Sequence, residues 1–447
     1  MRVLLISTIA PYPKNVGKKV VLGGFCDYFK GVCAPEDFQL MCFEPAEVAP
    51  GVEVSVVGKP GMLPKVRNLV FQSLLGRRKS IQESLFWSAQ TLQEIDRKIE
   101  EFRPDLVIFD TVRTGQYMRH LKSKSFRSIL YMDDLFSLRY ERILAAMKKF
   151  PAAGIDAMGN FAENIPRFLL PVYRSSSAVK RLLLRLERRL VQRSEYTMPA
   201  DFDLALLISG EEVRHLKTHT KAGNVLAVSP MLGINEQHAA VRAWSGRSEF
   251  VFLGSLNLAH NAFSIENFIE RHMDQMIMEM PECLLRVIGK FPSKDLIRLA
   301  ERYDKNIFID GFVEDLDAVL SQCAAMIAPL VFGSGVKIKV IDAIRLGVPV
   351  VSTSYGVEGI SWMASGGILV EDNLSNFASI CRKLISPEVN CRHSKLSRQI
   401  YLDNYSAKAV KTQYDDLFLN KCTTGNLAKA EANNCRQLAS SNTSVDV

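Results

Sequence analysis

Short apolar runs recur along the first half of the chain, at Arg2–Ser7, Phe38–Phe43, Val52–Val57, Asp105–Phe109, Ser128–Met132 and Leu204–Ile208. Between them, Ser80–Phe102, Val112–Lys122 and Ser177–Gln192 are longer and mix polar with apolar residues at helical spacing. An unbroken apolar run of about four to eight residues suits a strand covered on both faces, and its alternation with helices marks a parallel sheet. The alternation lapses over Gly233–Ser248 and then resumes. Strands are predicted at Phe250–Gly254, Cys283–Ile288, Asn306–Ile309, Ala324–Pro329 and Val348–Ser352, with helices at Ala262–Met280, Ser293–Tyr303, Glu314–Cys323 and Val336–Leu346. The expected fold class is α/β: two doubly wound parallel-sheet domains, 1–232 and 249–404, joined by a linker over 233–248. Thr423–Val447 is rich in Ala, Asn, Ser and Thr without apolar periodicity and reads as a disordered tail over 421–447.

Composition narrows the class. At 447 residues with 47% hydrophobic and 23% charged positions, the chain has material for two cores of a water-soluble protein. Its nine cysteines stand singly, with no C-x-x-C pair, which argues against a zinc cage or a redox motif and for a reducing cytoplasm. Met1–Ala10 is a first buried strand rather than a leader, because it runs into Pro11-Tyr12-Pro13 instead of a small-residue cleavage site. No run approaches the ~18 apolar residues of a membrane span. His215 and His219 have i, i+4 spacing but no evident third ligand, so no metal is expected.

Charge is unevenly placed. Residues 1–200 hold 31 Lys/Arg against 20 Asp/Glu, and the remainder holds 25 against 28, which together give the net +8. A basic half points to an anionic partner. Arg174–Arg193 alternates cations with leucines as a basic amphipathic helix, and Pro64–Arg78 is a second basic-apolar segment. Either the helix meets a membrane surface or it packs on its own domain.

The most informative stretch is Ala328–Thr353. An apolar run ends at Gly333-Ser334-Gly335, a helix-period segment opens with Lys337 and Lys339, and Gly347 precedes another strand. Glycines admit close approach of a ligand to the backbone, and N–H groups at a helix start attract anions. Lysines there oppose the helix dipole, so an anion between them would repay their placement. The expected ligand bears phosphate.

The run Phe250-Val-Phe-Leu-Gly-Ser255, Asn261, Arg286-Val-Ile-Gly289, Gly311-Phe-Val-Glu-Asp-Leu316, Ala328-Pro-Leu330, Gly333–Asp342, Gly347–Thr353 and Gly356-Val-Glu-Gly359 resembles the group-1 glycosyltransferases (glycosyltransferase family 4) of the GT-B fold. The resemblance is strong over roughly 250–385 and weaker but collinear over 1–230. It implies two Rossmann-like domains facing across a cleft, with the acceptor on the N-terminal one and the nucleotide sugar on the C-terminal one. It also implies a helix at about 405–420 packing back on the N-terminal domain. The implied activity is retaining, metal-independent sugar transfer. No cofactor is called for, because the nucleotide sugar is a substrate.

Residue by residue, the resemblance assigns Asp342 to the second acid of the E-x7-E motif, gripping the donor ribose. Ser334 stands where the first acid belongs, which is a departure. The basic pair common after the first strand of the donor domain is also absent from Gly254–Asn261, which leaves Lys337 and Lys339 to neutralise the departing diphosphate. Gly254, Asn261, Gly333, Ser334 and Gly335 are expected to line the donor, with Gly311 and Val313 against the base. Gly17, in Gly17-Lys18-Lys19, either resembles the family's glycine loop near the donor phosphates and the acceptor or belongs to a simple surface turn. Asp110 ends a strand where relatives carry an active-site His; it either faces acceptor and donor or caps a helix, and Asp133 and Asp134 have the same two readings. The expected partners are a nucleotide-sugar donor and a saccharide or lipid-linked acceptor of surface polysaccharide synthesis, with inner-membrane contact through the basic half and no nucleic acid. A non-catalytic nucleotide-sugar-binding scaffold and a GT-B sugar-nucleotide epimerase are the alternatives.

Overall fold

The computed structural model describes residues 1–14, 17–44, 52–151, 177–232, 242–333, 335–362 and 366–419. Ser334, most of the expected linker and the expected tail lie outside these residues. The chain divides into two compact units, Met1–Ala145 with Ala157–Gly233, and Ala146–Asp156 with Ile234–Val447.

The first unit contains seven strands: β1 (Val3–Ser7), β2 (Phe38–Cys42), β3 (Glu53–Val56), β4 (Leu106–Asp110), β5 (Arg127–Asp133), β6 (Leu204–Leu207) and β7 (Val225–Ala227). They form one parallel sheet in the order β3-β2-β1-β4-β5-β6-β7. Eight helices accompany it among the described residues: α1 (Gly17–Val32), α2 (Met62–Asn68), α3 (Ile81–Phe86), α4 (Ala89–Phe102), α5 (Thr111–Gly115), α6 (Phe136–Lys149), α7 (Ser177–Thr197) and α8 (Gly210–His219). Strands β1, β2 and β4 are buried at every position, as their unbroken apolar runs require.

The stretch Ser80–Phe102, read as one helix, is two. Ser80 forms a reciprocal capping box with Glu83 at the start of α3. Trp87 is extended, and Ser88 then caps α4 by accepting the Thr91 N–H at 2.9 Å. Two serine caps eight residues apart outweigh the continuous periodicity.

The basic helix α7 is packed on its own unit. Leu184, Leu190 and Val191 are buried. Glu187 accepts the Ile81 and Gln82 N–H groups at 2.6 and 3.2 Å, so it caps α3 from a neighbouring element. Glu195 accepts the Ser137 N–H at the start of α6. The face left outward carries Arg181, Leu182, Arg185, Arg189 and Arg193.

The second unit has a six-stranded parallel sheet built from β8 (Glu249–Leu253), β9 (Leu284–Ile288), β10 (Ile307–Gly311), β11 (Ala325–Ala328), β12 (Val350–Ser352) and β13 (Ile368–Val370). The order is β10-β9-β8-β11-β12-β13. Its helices are α9 (Ala259–Glu279), α10 (Lys294–Arg302), α11 (Leu316–Gln322), α12 (Ile338–Arg345), α13 (Phe377–Leu384), α14 (Pro387–Asn404) and α15 (Ala407–Tyr414). Phe250, Phe252, Ile265, Phe268, Ile327 and Phe377 anchor its core. Helix α15, expected to return to the N-terminal domain, is grouped with this second unit. The three-residue edge strands β7 and β13 are too short to leave a pattern in the sequence.

Burial raises the Glu195 pKa from 4.5 to about 8, with Asp134 adding to the rise and the hydrogen bonds of Ser137 opposing it. Because the folded value lies above the unfolded one, the unfolded chain releases this proton first as pH rises. The stabilisation from Glu195 is therefore full below about pH 4.5 and lost by about pH 8. Glu195→Gln should flatten the fall in melting temperature between these limits, as read by thermal denaturation of parent and variant across pH.

Candidate functional site

In each sheet the strand order reverses direction once, between β1 and β4 and between β8 and β11. Connections leave such a point towards opposite faces, which opens a crevice beyond the carboxyl ends of the two strands. Residues of chemical interest gather at both points.

At the β8/β11 point, Gly254 follows β8 and Asn261 lies in the first turn of α9. A side chain on Gly254 would come within 2.8 Å of the Asn261 carboxamide carbon, so only glycine lets the two pack. Asn261 is buried; its Nδ2 donates to the Ser255 carbonyl at 3.0 Å, and its Oδ1 accepts from Lys339 Nζ at 2.9 Å. The carboxamide thus positions Lys339. Beyond β11 the chain turns through Gly333 and Gly335, both with positive φ (145° and 74°). Lys337 is at the N-cap position of α12 without a side-chain capping bond, and its Nζ donates to the Gly335 carbonyl at 2.6 Å.

Lys339 lies over the Phe252 ring, 4.7 Å from its centroid, and makes no ion pair among the described residues. It keeps some exposed surface, yet the protein around it strips away enough water to push its pKa from 10.5 down to about 7, and the charge of Lys337 pushes the same way. An ammonium in this position favours an incoming anion. One helical turn on, Asp342 is not paired with Lys339. Burial lifts its pKa to about 6, opposed by Arg345 and reinforced by Asp317, and those two neighbours pair with each other. Its carboxyl group retains capacity to accept hydrogen bonds from a ligand hydroxyl.

Gly311 ends β10 in the left-handed region (φ 67°) with open space where a side chain would be. Val313 beside it is half-buried. Sequence reasoning missed the neighbours that give this edge an aromatic surface: Phe312 is 66% exposed with Lys290 Nζ 4.2 Å over its ring, and Phe291, also exposed, is left-handed (φ 64°). An exposed phenylalanine at a strand end was the signal available.

At the β1/β4 point, Asp110 is fully buried. It occupies the position before α5 but makes no capping bond, so the capping reading fails. Its oxygens instead take a hydrogen bond from Ser7 Oγ at 2.9 Å, across the switch point, and an ion pair from Lys18 Nζ at 3.0 Å. Lys18 also approaches Asp133 at 3.9 Å, and Tyr131 Oη donates to Asp133 at 2.8 Å. Thr111 and Asp133 both have positive φ (63° and 68°), unusual for residues with side chains and for a β-branched one especially. Asp133 and the stem of Lys18, whose Nζ is itself buried, are what this cluster presents to solvent. Gly17 opens α1 immediately before Lys18. Asp134 pairs with Arg139 rather than capping α6. The histidines 215 and 219 stack at 4.2 Å, and among the described residues no group of three or more His, Cys, Asp or Glu is placed to hold a metal.

Residues 247–387 match the model of the family "Glycosyl transferases group 1". A segment of 115 residues is 30% identical to an uncharacterised 44.6 kDa protein in the cps region of Klebsiella pneumoniae, covering 24% of this chain and 30% of that one. Among solved structures, sucrose-phosphate synthase from Thermosynechococcus elongatus is similar with a TM-score of 0.62 at 14% identity, over 94% of this chain and 98% of that one. TarM gives 0.62 at 10% identity over 94% and 99%. HepE from Anabaena, solved with UDP, gives 0.60 at 11% identity over 93% and 99%. Two parallel-sheet α/β units with this likeness are the GT-B fold.

Removing Lys18 would strand a buried carboxylate. Lys18→Met should cost about 3 kcal/mol of stability, and adding Asp110→Asn should recover most of it. Denaturant unfolding of the single and double variants measures both.

Proposed function

We propose that this chain, whose residues 247–387 match the group 1 glycosyltransferase family, moves a sugar from a nucleotide-sugar donor to a saccharide or lipid-linked acceptor. The observation that carries the reading is the Lys339 ammonium, held by Asn261 at the switch point of the second sheet beside the Gly333 and Gly335 turn, with the charge of Lys337 next to it. A diphosphate there relieves the repulsion between the two lysines. As the bond from the anomeric carbon to the diphosphate breaks, negative charge grows on the leaving oxygen, and the same lysines stabilise it. Asp342 accepts hydrogen bonds from the ribose, and the Gly311–Val313 edge takes the base. Acceptor binding falls to the first unit, where Asp133 reaches solvent beside the stem of Lys18. The reading extends to retention of anomeric configuration, no metal, membership of glycosyltransferase family 4, a cytoplasmic site with peripheral contact at the inner membrane, and a role in surface polysaccharide synthesis.

HepE has been solved with UDP and with UDP and glucose, so uridine diphosphate sugars head the panel of donors to test. A donor that binds the folded protein at ~100-fold above its dissociation constant adds about 2.7 kcal/mol of stability, a readily seen thermal shift. Lys339→Ala should weaken binding about 10- to 100-fold, the equivalent of a charge-assisted hydrogen bond of about 1.5–3 kcal/mol. Turnover with an acceptor separates the transferase from a scaffold that only binds. Conversion of the donor alone would mark an epimerase. Full donor affinity in both Lys337→Ala and Lys339→Ala overturns the site.

The Lys339 pKa of about 7 adds a pH signature. Its folded value lies below the unfolded 10.5, so the ammonium is lost on the alkaline side of neutrality in the empty site. Binding must then recover a proton, and affinity for a nucleotide sugar should fall about ten-fold per pH unit above 7. Calorimetric titration between pH 6.5 and 8.5 should show that slope in the parent and none in Lys339→Ala.

A further inference from the structure

One stretch of the first unit turns several large apolar side chains outward. Helix α2 runs on into a wider helical turn over Leu69–Leu74, so residues 62–74 form one continuous helical segment. Two of its polar side chains point inward beside the buried Leu69: Asn68 is 2% exposed and donates to the Trp87 carbonyl at 2.9 Å, and Ser73 is fully buried against Ser80 and Ser84. Five large apolar side chains nevertheless point outward: Leu63 is 84% exposed, Leu75 70% and Phe71 63%, with Met62 and Leu74 beside them. Leu63, Arg67, Phe71 and Leu75 follow one another at intervals of four, so they share a stripe. Exposure of isolated leucines is ordinary, but a contiguous set over buried polar residues calls for a covering surface.

The charge around this stripe identifies what covers it. From Val54 to Gln82 the sequence has no Asp or Glu, while Lys59, Lys65, Arg67, Arg77, Arg78 and Lys79 supply six cations. Arg67, Arg77 and Arg78 are exposed. A second copy of the same face would bring like charges together. Nucleic acid would satisfy the arginines but leave the aliphatic side chains without partners. Anionic lipid satisfies both, since acyl chains take Leu63, Phe71 and Leu75 while headgroup phosphates take the arginines. Helix α7 is tied to the end of this segment, because Glu187 caps the helix that begins two residues after Lys79. Its outward row Arg181, Arg185, Arg189 and Arg193 extends the cationic surface.

We infer that residues 62–78 are a membrane-docking surface, in which the Leu63–Phe71–Leu75 stripe enters the interface of an anionic bilayer and the surrounding arginines hold its phosphates. This gives the peripheral contact of the reading above a defined surface. Leu184 and Leu190 of α7 are packed inward and Leu182 alone among its leucines is exposed, so that helix contributes mainly through its arginines. The test uses no nucleotide, so its failure leaves the transferase reading standing, and failure of donor binding leaves this inference standing.

The full chain is mixed with vesicles of phosphatidylcholine alone or with phosphatidylglycerol added, and bound protein is read by flotation at physiological ionic strength. Binding is expected to the mixed vesicles and not to phosphatidylcholine alone. The combined Leu63→Ser, Phe71→Ser and Leu75→Ser variant should lose at least about ten-fold in partition, given the apolar area it removes from the interface. Charge reversal at Arg67, Arg77 and Arg78 should cost about five-fold or more per residue. Phe71→Trp reports insertion directly, through a blue shift quenched by lipids brominated on their acyl chains. No binding by the parent, parental binding by the triple serine variant, or an unshifted tryptophan at position 71 each overturns the inference. So does stoichiometric self-association through this face in light scattering, or tighter binding to RNA than to mixed vesicles.

Discussion

The reversal of strand order in each sheet governs where chemistry is possible in this molecule. In a parallel sheet the crossover helices cover both faces, so ligand access is confined to the carboxyl edge, and it is widest where neighbouring connections diverge. The two reversals, at β1/β4 and β8/β11, are where the chain places its least comfortable groups. Buried Asp110 meets Lys18 at the first, and Lys339, short of solvent and close to another cation, stands at the second. Neither arrangement stabilises a fold by itself, since desolvating a charge costs more than a single neutral contact returns.

The two clusters differ in how their charges are balanced. In the first unit, lysine and aspartate neutralise each other and Ser7 ties the pair across the switch point, so the cluster is complete as it stands and offers only Asp133 and the stem of Lys18, whose Nζ is buried. In the second, Asn261 offers Lys339 a neutral oxygen rather than a carboxylate. A neutral partner orients the ammonium without discharging it, which leaves its electrostatic interaction available to a ligand. The glycine at 254 exists for the same purpose, because any side chain there would displace the carboxamide. Strain at Thr111 and Asp133 and the left-handed Phe291 fall at the same carboxyl edges, where backbone conformation is set by site geometry rather than by sheet packing.

Helix α7 and the segment over residues 62–78 show how composition and placement part company. Both are basic and apolar in sequence. In α7, Leu184, Leu190 and Val191 are spent on the core while Leu182 stays outside, and Glu187 and Glu195 cap the starts of α3 and α6. In the other segment Asn68 and Ser73 are spent inward and Leu63, Phe71 and Leu75 remain outside.

The sequence by itself determined the α/β class, the existence of two parallel-sheet units, most of the longer strands and the glycine–lysine signature at Gly333–Asp342. Those features are local: strand-length apolar runs, helical periodicity and glycines at turns are written within a few residues of one another. Only the tertiary structure decided that Asn261 holds Lys339 from 78 positions away, that Asp110 is sealed by Ser7 and Lys18 rather than capping a helix, and that Asp342 sits with Arg345 and Asp317 instead of Lys339. It also decided which of two basic-apolar segments keeps its leucines in view. Side-chain partners and burial depend on which distant elements the sheet order brings together, and no single stretch of the chain carries that information.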